Sequence, residues 1–142
     1  TVKRMVDMGC EPGSHTWDHT YITKLSQEGL SANLDRLDGT LQSIAGVRTV
    51  TMRPPGGFVS DGAKQNLAKK GVPAILWSID TLDWKTKNAQ NTINVVLSSV
   101  KDGDIILMHD EFRTSVEAAL RIIDNLTAKG YTFVTVDELL ID

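Results

Sequence analysis

Only one cysteine occurs in the 142 residues, Cys10, so no disulfide can form within the chain and a disulfide-stapled fold is excluded. Its neighbours Met8 and Gly9 are apolar, which predicts a buried, inert thiol. No apolar stretch approaches the roughly 18 residues of a membrane span, and the amino-terminal residues show no signal-peptide pattern, so nothing direct is said about export. Basic runs are missing too: with a net charge of -3, no cluster of Lys and Arg exists to neutralise phosphates, and a general nucleic-acid binder is not expected. Repeats, low-complexity tracts and linkers are absent. Histidine is scarce, with three in all, and each one stands in a polar cluster.

What is present is a soluble, globular composition, 41% hydrophobic, enough for the core of one domain. The chain opens inside a helix, Thr1 to Met8, that Gly9 ends. Ser26 is placed to cap a long helix whose Leu30, Leu34, Leu37, Leu41 and Ile44 recur in steps of four and three, and Gly46 stops it. Val47 to Met52 is β-branched and predicts a strand that Pro54 and Pro55 terminate. Ser60 starts another helix that runs to Lys70. Val72 to Ile79 is a continuous apolar run, as in a strand buried on both faces of a parallel sheet. Thr92 to Val100 predicts a helix, Asp104 to Met108 a strand, Thr114 to Lys129 a helix, Tyr131 to Val136 a strand, and a short helix follows from Asp137. Strand alternating with helix through short connections specifies an α/β fold with parallel strands.

The polar clusters follow the carboxyl ends of the predicted strands, where parallel α/β folds keep their active sites. His15 and His19 are four residues apart, a spacing that on a helical turn lets both imidazoles grip one divalent ion, and the alternative is a surface helix with two incidental histidines. Asp18, between them, points elsewhere on such a turn and is a weak third ligand. Arg53-Pro54-Pro55-Gly56-Gly57 is either a stiff turn with a surface arginine or a rigid mount holding Arg53 for a carboxylate, with glycines that let backbone N–H groups approach an oxyanion. Asp80 and Asp83 either cap the following segment or serve chemistry, and Trp84, in a loop, suits either a core rim or a sugar platform. His109 at a strand end, beside Asp110, is either a backbone-bonded core histidine or a general acid tuned by a carboxylate.

Taken in order, these clusters resemble the NodB-homology polysaccharide deacetylases, a carbohydrate esterase family. His15-Thr16-Trp17-Asp18-His19 is similar to its His-(Ser/Thr)-x-x-His metal motif, Arg53-Pro54-Pro55-Gly56-Gly57 to its Arg-Pro-Pro groove motif, Asp80 to Trp84 to its Asp-Trp wall, and Leu107-Met108-His109 to its Leu-x-His motif. The resemblance implies a hydrolase removing acetyl groups from an N-acetylated polysaccharide. In it His15 and His19 hold a divalent metal, zinc first with cobalt or nickel suited as well. His109 would be the general acid, Asp83 would tune it, and Arg53 would orient the catalytic base. Pro55, Gly56 and Gly57 would line the groove, with a backbone N–H near Gly56 on the oxyanion, and Trp84 and Leu107 would line the acetyl pocket. Asp80 to Trp84 followed by Lys85-Thr86-Lys87-Asn88 looks most like bacterial peptidoglycan N-acetylglucosamine deacetylases, with chitin and acetylxylan as other substrates. The implied setting is extracellular or cell-envelope.

Two departures accompany the resemblance. Gly56 stands where many relatives carry tyrosine, which removes a ring from the groove, and the family's first motif, Thr-Phe-Asp-Asp-Gly, source of the base and the third metal ligand, is missing. Residues 1–142 are therefore expected to be the C-terminal portion of one catalytic domain, a partial irregular (β/α) barrel lacking its first strand-helix-strand unit, with impaired activity. The competing expectations are a non-catalytic carbohydrate- or metal-binding fragment, or an acetylxylan O-esterase. Exposed sheet edges predict a homodimer.

Overall fold

The computed structural model describes residues 1–141, which form two compact units: residues 1–76 with the C-terminal residues from Thr135 onward, and Trp77–Val134.

The first unit contains α1 (Val2–Asp7), α2 (Gln27–Ala45), α3 (Asp61–Lys69) and α7 (Val136–Ile141). The start of α2 is set by Ser26, whose Oγ accepts the Gly29 N–H at 3.1 Å, and its end by Gly46 at φ 71°, a conformation that costs a glycine nothing. Leu30, Leu34 and Leu41 form its buried stripe, Leu37 is half-buried and Ile44, in the last turn, is exposed. Ser60 caps α3 in the same way, on the Ala63 N–H at 3.2 Å. The core joins Leu30 and Leu34 to Ile22, Met52, Ala63, Leu67 and Val72.

The strand expected over Val47 to Met52 contracts to a single residue. Met52 bridges Ser14 on one side and Ala74 on the other, both in parallel, through Ser14 N–H to Thr51 O (2.8 Å), Arg53 N–H to Ser14 O (2.8 Å), Met52 N–H to Pro73 O (2.9 Å) and Ile75 N–H to Met52 O (2.7 Å). The ladder stops because side chains take its bonds. Asp38 accepts both the backbone N–H and the hydroxyl of Thr49, at 2.9 and 2.7 Å, and Pro54 has no N–H to give. Cys10 corrects the expectation of a buried thiol: it is exposed, because α1 is a surface helix with no buried residue and Gly9, at φ 87°, turns the chain off its end.

The second unit contains β1 (Ile79–Asp80), α4 (Asp83–Thr86), α5 (Ala89–Ser99), β2 (Ile106–Leu107) and α6 (Arg113–Ala128). β1 and β2 pair in parallel, Ile79 opposite Ile106 and Asp80 opposite Leu107. Their apolar faces meet α5 and α6 in a core of Ile79, Ile93, Val96, Ala118, Ile122 and Leu126. The apolar run from Val72 to Ile79 is thus not one strand: Ala74 makes an isolated bridge and only Ile79 enters β1.

Tyr131 to Val136 forms no strand either. After Gly130, at φ 90°, the Tyr131 N–H returns to Leu126 O and closes α6, while Phe133 and Val134 stand exposed. Thr135 and Glu138 then make a reciprocal cap for α7: Glu138 Oε2 accepts the Thr135 N–H at 2.7 Å, and Thr135 Oγ1 accepts the Glu138 N–H at 3.3 Å. The Thr-x-x-Glu signal for this helix stood in the sequence, overshadowed by β-branched neighbours. Among the described residues, no helix is long and apolar enough to cross a membrane.

Candidate active site

In the first unit, the carboxyl ends of two bonded segments carry the motif residues. His15 follows the bridge at Ser14, and Arg53 follows the bridge at Met52. His15 Nδ1 lies 2.6 Å from Arg53 O. A carbonyl only accepts, so Nδ1 carries the proton and Nε2 holds the lone pair that a metal ligand needs. The His19 ring stands edge-on to it, centroids 4.9 Å apart.

The helical turn expected for this pair is not there. Thr16 and His19 both lie in the left-handed region, at φ 63° and 61°, and the loop folds back so that the rings meet. For a β-branched residue such as Thr16 that conformation costs about 1–3 kcal/mol and persists only where neighbours enforce it. Here α2 does so: Asn33 Oδ1 accepts the Trp17 N–H at 2.7 Å, and the Arg36 guanidinium sits 4.1 Å from the Trp17 ring centroid. Asp18 is spent locally: the Thr20 hydroxyl, and then the Thr20 N–H that it accepts at 3.2 Å, lower its carboxyl from the ordinary range.

Arg53 is half-buried, and burial pushes its guanidinium down from its ordinary value. Its Nε, with Ser14 Oγ and Thr16 Oγ1, is buried with no hydrogen-bond partner among the described residues. Buried polar atoms normally find partners, so each of these three lacks one that it would ordinarily have. Pro54 and Pro55 are buried, and Gly56 and Gly57, at φ 65° and 74°, wind a tight turn closed by the Gly57 N–H on Pro54 O at 2.9 Å. The pair offers two imidazoles, a ligand type that zinc takes, but no group of three His, Cys, Asp or Glu that could hold an ion occurs among the described residues.

In the second unit, Thr81 Oγ1 donates to Leu107 O at 2.7 Å and pins the ends of β1 and β2 together. Asp83 is 1% exposed and accepts two bonds from one residue, the His109 backbone N–H at 2.7 Å and its ring Nδ1–H at 2.8 Å. Burial raises the Asp83 carboxyl, but the bonds from the His109 ring and backbone outweigh it and hold the group below its ordinary value. The carboxylate on His109 is thus Asp83 and not its chain neighbour Asp110, which is exposed. Asp80 only caps a turn, accepting the Leu82 N–H at 3.0 Å. Trp84 is half exposed and Leu107 is buried.

The structure therefore brings His15, His19 and Arg53 together in one unit, and Asp83 with His109 in the other. Asn33, which holds the Trp17 N–H, carried no motif, and Thr81, inside the Asp80 to Trp84 motif, had no role assigned to it from the sequence. Two grooves in the first unit, of about 470 Å³ beside Val72 and about 550 Å³ between α2 and α3, include none of the motif residues.

The polysaccharide deacetylase family model matches residues 1–75. A peptidoglycan-N-acetylglucosamine deacetylase of Listeria monocytogenes, PgdA, is 39% identical over 138 residues, covering 97% of this chain and 29% of its own length. A peptidoglycan-N-acetylglucosamine deacetylase of Bacillus cereus is 35% identical over 145 residues, covering 98% and 67%. The solved structure of T48 deacetylase with substrate superposes with a TM-score of 0.91 at 41% identity, covering 99% of this chain and 69% of that one. The chain thus spans under a third of the Listeria relative and about two thirds of the other two. Its α/β fold is that of known deacetylases, and the chain belongs to the polysaccharide deacetylase family.

Proposed function

We propose that this chain is the C-terminal portion of a metal-dependent polysaccharide N-deacetylase that hydrolyses the acetamide of N-acetylglucosamine, in peptidoglycan before chitin, at the cell envelope. The observation that carries the proposal is the Asp83–His109 pair, a buried carboxylate on a half-exposed imidazole at the ends of parallel strands, in a member of this family. The substrate preference is supported by the names of the Listeria and Bacillus relatives.

Nδ1–H of His109 is committed to Asp83, so its Nε2 exchanges the proton; protonated, it gives that proton to the departing amine. His15 and His19 would hold the metal, zinc first, with cobalt or nickel also suited to imidazole ligands. A divalent ion there supplies Lewis-acid polarisation of the acetyl carbonyl and a lowered pKa for water. By the resemblance, a backbone N–H near Gly56 would be the donor for the oxyanion, while the Gly57 N–H is bonded to Pro54 O. The orphaned Nε of Arg53 suits it to orient a carboxylate base. By the same resemblance, the Pro55–Gly57 turn of the first unit would contact sugar, and Trp84 and Leu107 of the second unit would line the acetyl pocket. The sequence has no Thr-Phe-Asp-Asp-Gly motif, and no group of three possible metal ligands occurs among the described residues, so this chain by itself would be impaired.

Acetate release from tetra-N-acetylchitotetraose tests the assignment, using a version of the protein supplied with the family's Asp-Asp motif. His109→Ala should slow it by about 100-fold or more, the scale of a lost general acid. A variant that keeps its rate refutes the role given to His109.

A further inference from the structure

Beside the histidine pair, the first unit carries an aromatic arrangement that the roles above leave unused. Phe58 follows the Gly56-Gly57 turn, and 58% of it is exposed. Its ring lies directly on Gly56: a Cβ at that position would stand 2.9 Å from Phe58 Cδ2 and 3.0 Å from Cε2. Gly56 also adopts φ 65°, so both its conformation and the ring above it require a residue without a side chain. Tyr21 braces Phe58 from the side, centroids 5.7 Å apart at 60°, the edge-to-face geometry that aromatic quadrupoles favour. Tyr21 in turn stands 6.3 Å from the His19 ring, while Lys24 Nζ covers it at 5.3 Å from its centroid.

These contacts divide the labour between the two rings. Tyr21 is occupied by Lys24, His19 and the edge of Phe58, whereas Phe58 is cradled and braced yet keeps an exposed surface. An apolar ring held rigidly in water loses the hydrophobic gain of burial and spends no further entropy when something stacks on it. The partner chemistry follows from the ring. A glucose-configured pyranose carries its substituents equatorially and presents axial C–H groups on both faces, which meet the electron-rich face of an aromatic ring favourably.

We propose that Phe58, seated on Gly56 and braced by Tyr21, is a stacking platform for a glucose-configured sugar ring of an N-acetylated polysaccharide, beside the ring that the histidine pair serves. The platform rests on the deacetylase reading of that pair. It extends the reading by making Phe58 a determinant of sugar configuration and chain length.

The test is calorimetric titration of the protein with tetra-N-acetylchitotetraose, which needs no turnover, for the wild type and for Phe58→Ala, Phe58→Tyr and Phe58→Trp. Circular dichroism confirms that each variant is folded, as expected for changes at an exposed side chain. Phe58→Ala should bind about tenfold more weakly, while Tyr and Trp, which keep a stacking face, should bind within about twofold of the wild type or more tightly. Equal binding by the wild type and Phe58→Ala overturns the platform and leaves the deacetylase reading standing. Equal weakening by Ala, Tyr and Trp shows a structural role for the side chain and also overturns the platform. A wild type that binds no oligomer overturns the platform and the polysaccharide reading together.

Discussion

Replacing Asp83 by Asn keeps the shape of the side chain and removes only its charge. In the wild type, one buried carboxylate accepts the His109 backbone N–H at 2.7 Å and its ring Nδ1–H at 2.8 Å. Hydrogen bonds to a charged group contribute about 1.5–3 kcal/mol each, against about 1 kcal/mol for a neutral pair. The ring bond is discounted because the His109 side chain is 38% exposed and partly screened. Asn retains the backbone bond as a neutral one and turns an N–H toward Nδ1, so the variant should lose about 2 kcal/mol at pH 7. Two measurements check this. Urea denaturation followed by tryptophan fluorescence, with Trp84 next in the chain, gives the stability. Imidazole nitrogen shifts give the tautomer, which should move its proton from Nδ1 in the wild type to Nε2 in the variant. The pH dependence has a definite sign. The folded Asp83 carboxyl lies below its ordinary value, so its contribution is complete above the unfolded range near about pH 4 and is lost as pH falls through the lowered folded value. The stability difference between wild type and Asp83→Asn should therefore be flat from pH 7 to about pH 5 and shrink below about pH 4. Equal stability at pH 7, with the proton still on Nδ1 of the variant, would refute the account of the pair.

Zinc binding should be measurable by calorimetry and should vanish in His15→Ala; because two imidazoles fill only two corners of a tetrahedron, the affinity of residues 1–142 alone should be weak. Tight one-to-one binding would instead require a third ligand from a second copy of the chain, which sedimentation at the same concentration would reveal. Ser26→Ala removes the cap on α2 and should lower stability by about 1 kcal/mol in urea denaturation; an unchanged midpoint would mean that packing of Leu30 and Leu34 alone sets the helix start.

Helices were legible in the sequence because their signals are local. Ser26 with Gly46 and the leucine stripe between them define α2, and Ser60 defines α3, from groups within a few residues of one another. The motif residues stood out as well: Arg53, Asp83 and His109 each follow closely on an apolar or β-branched run, and His15 and His19 are marked by their four-residue spacing. Strand lengths were not. Whether Thr49 joins a ladder depends on Asp38, eleven residues away, winning its N–H, and the apolar residues from Tyr131 gave way to the cap that Thr135 and Glu138 make. Only the tertiary structure decided that His15 and His19 meet through two left-handed residues and not on a helical turn, and that Phe58 lies on Gly56, whereas the Asp83–His109 pairing is implied by the resemblance and the structure supplies its bonds. Capping and periodicity act between near neighbours and are written in the order of residues, whereas strand pairing, backbone strain and the choice of a charge partner depend on what folding brings alongside.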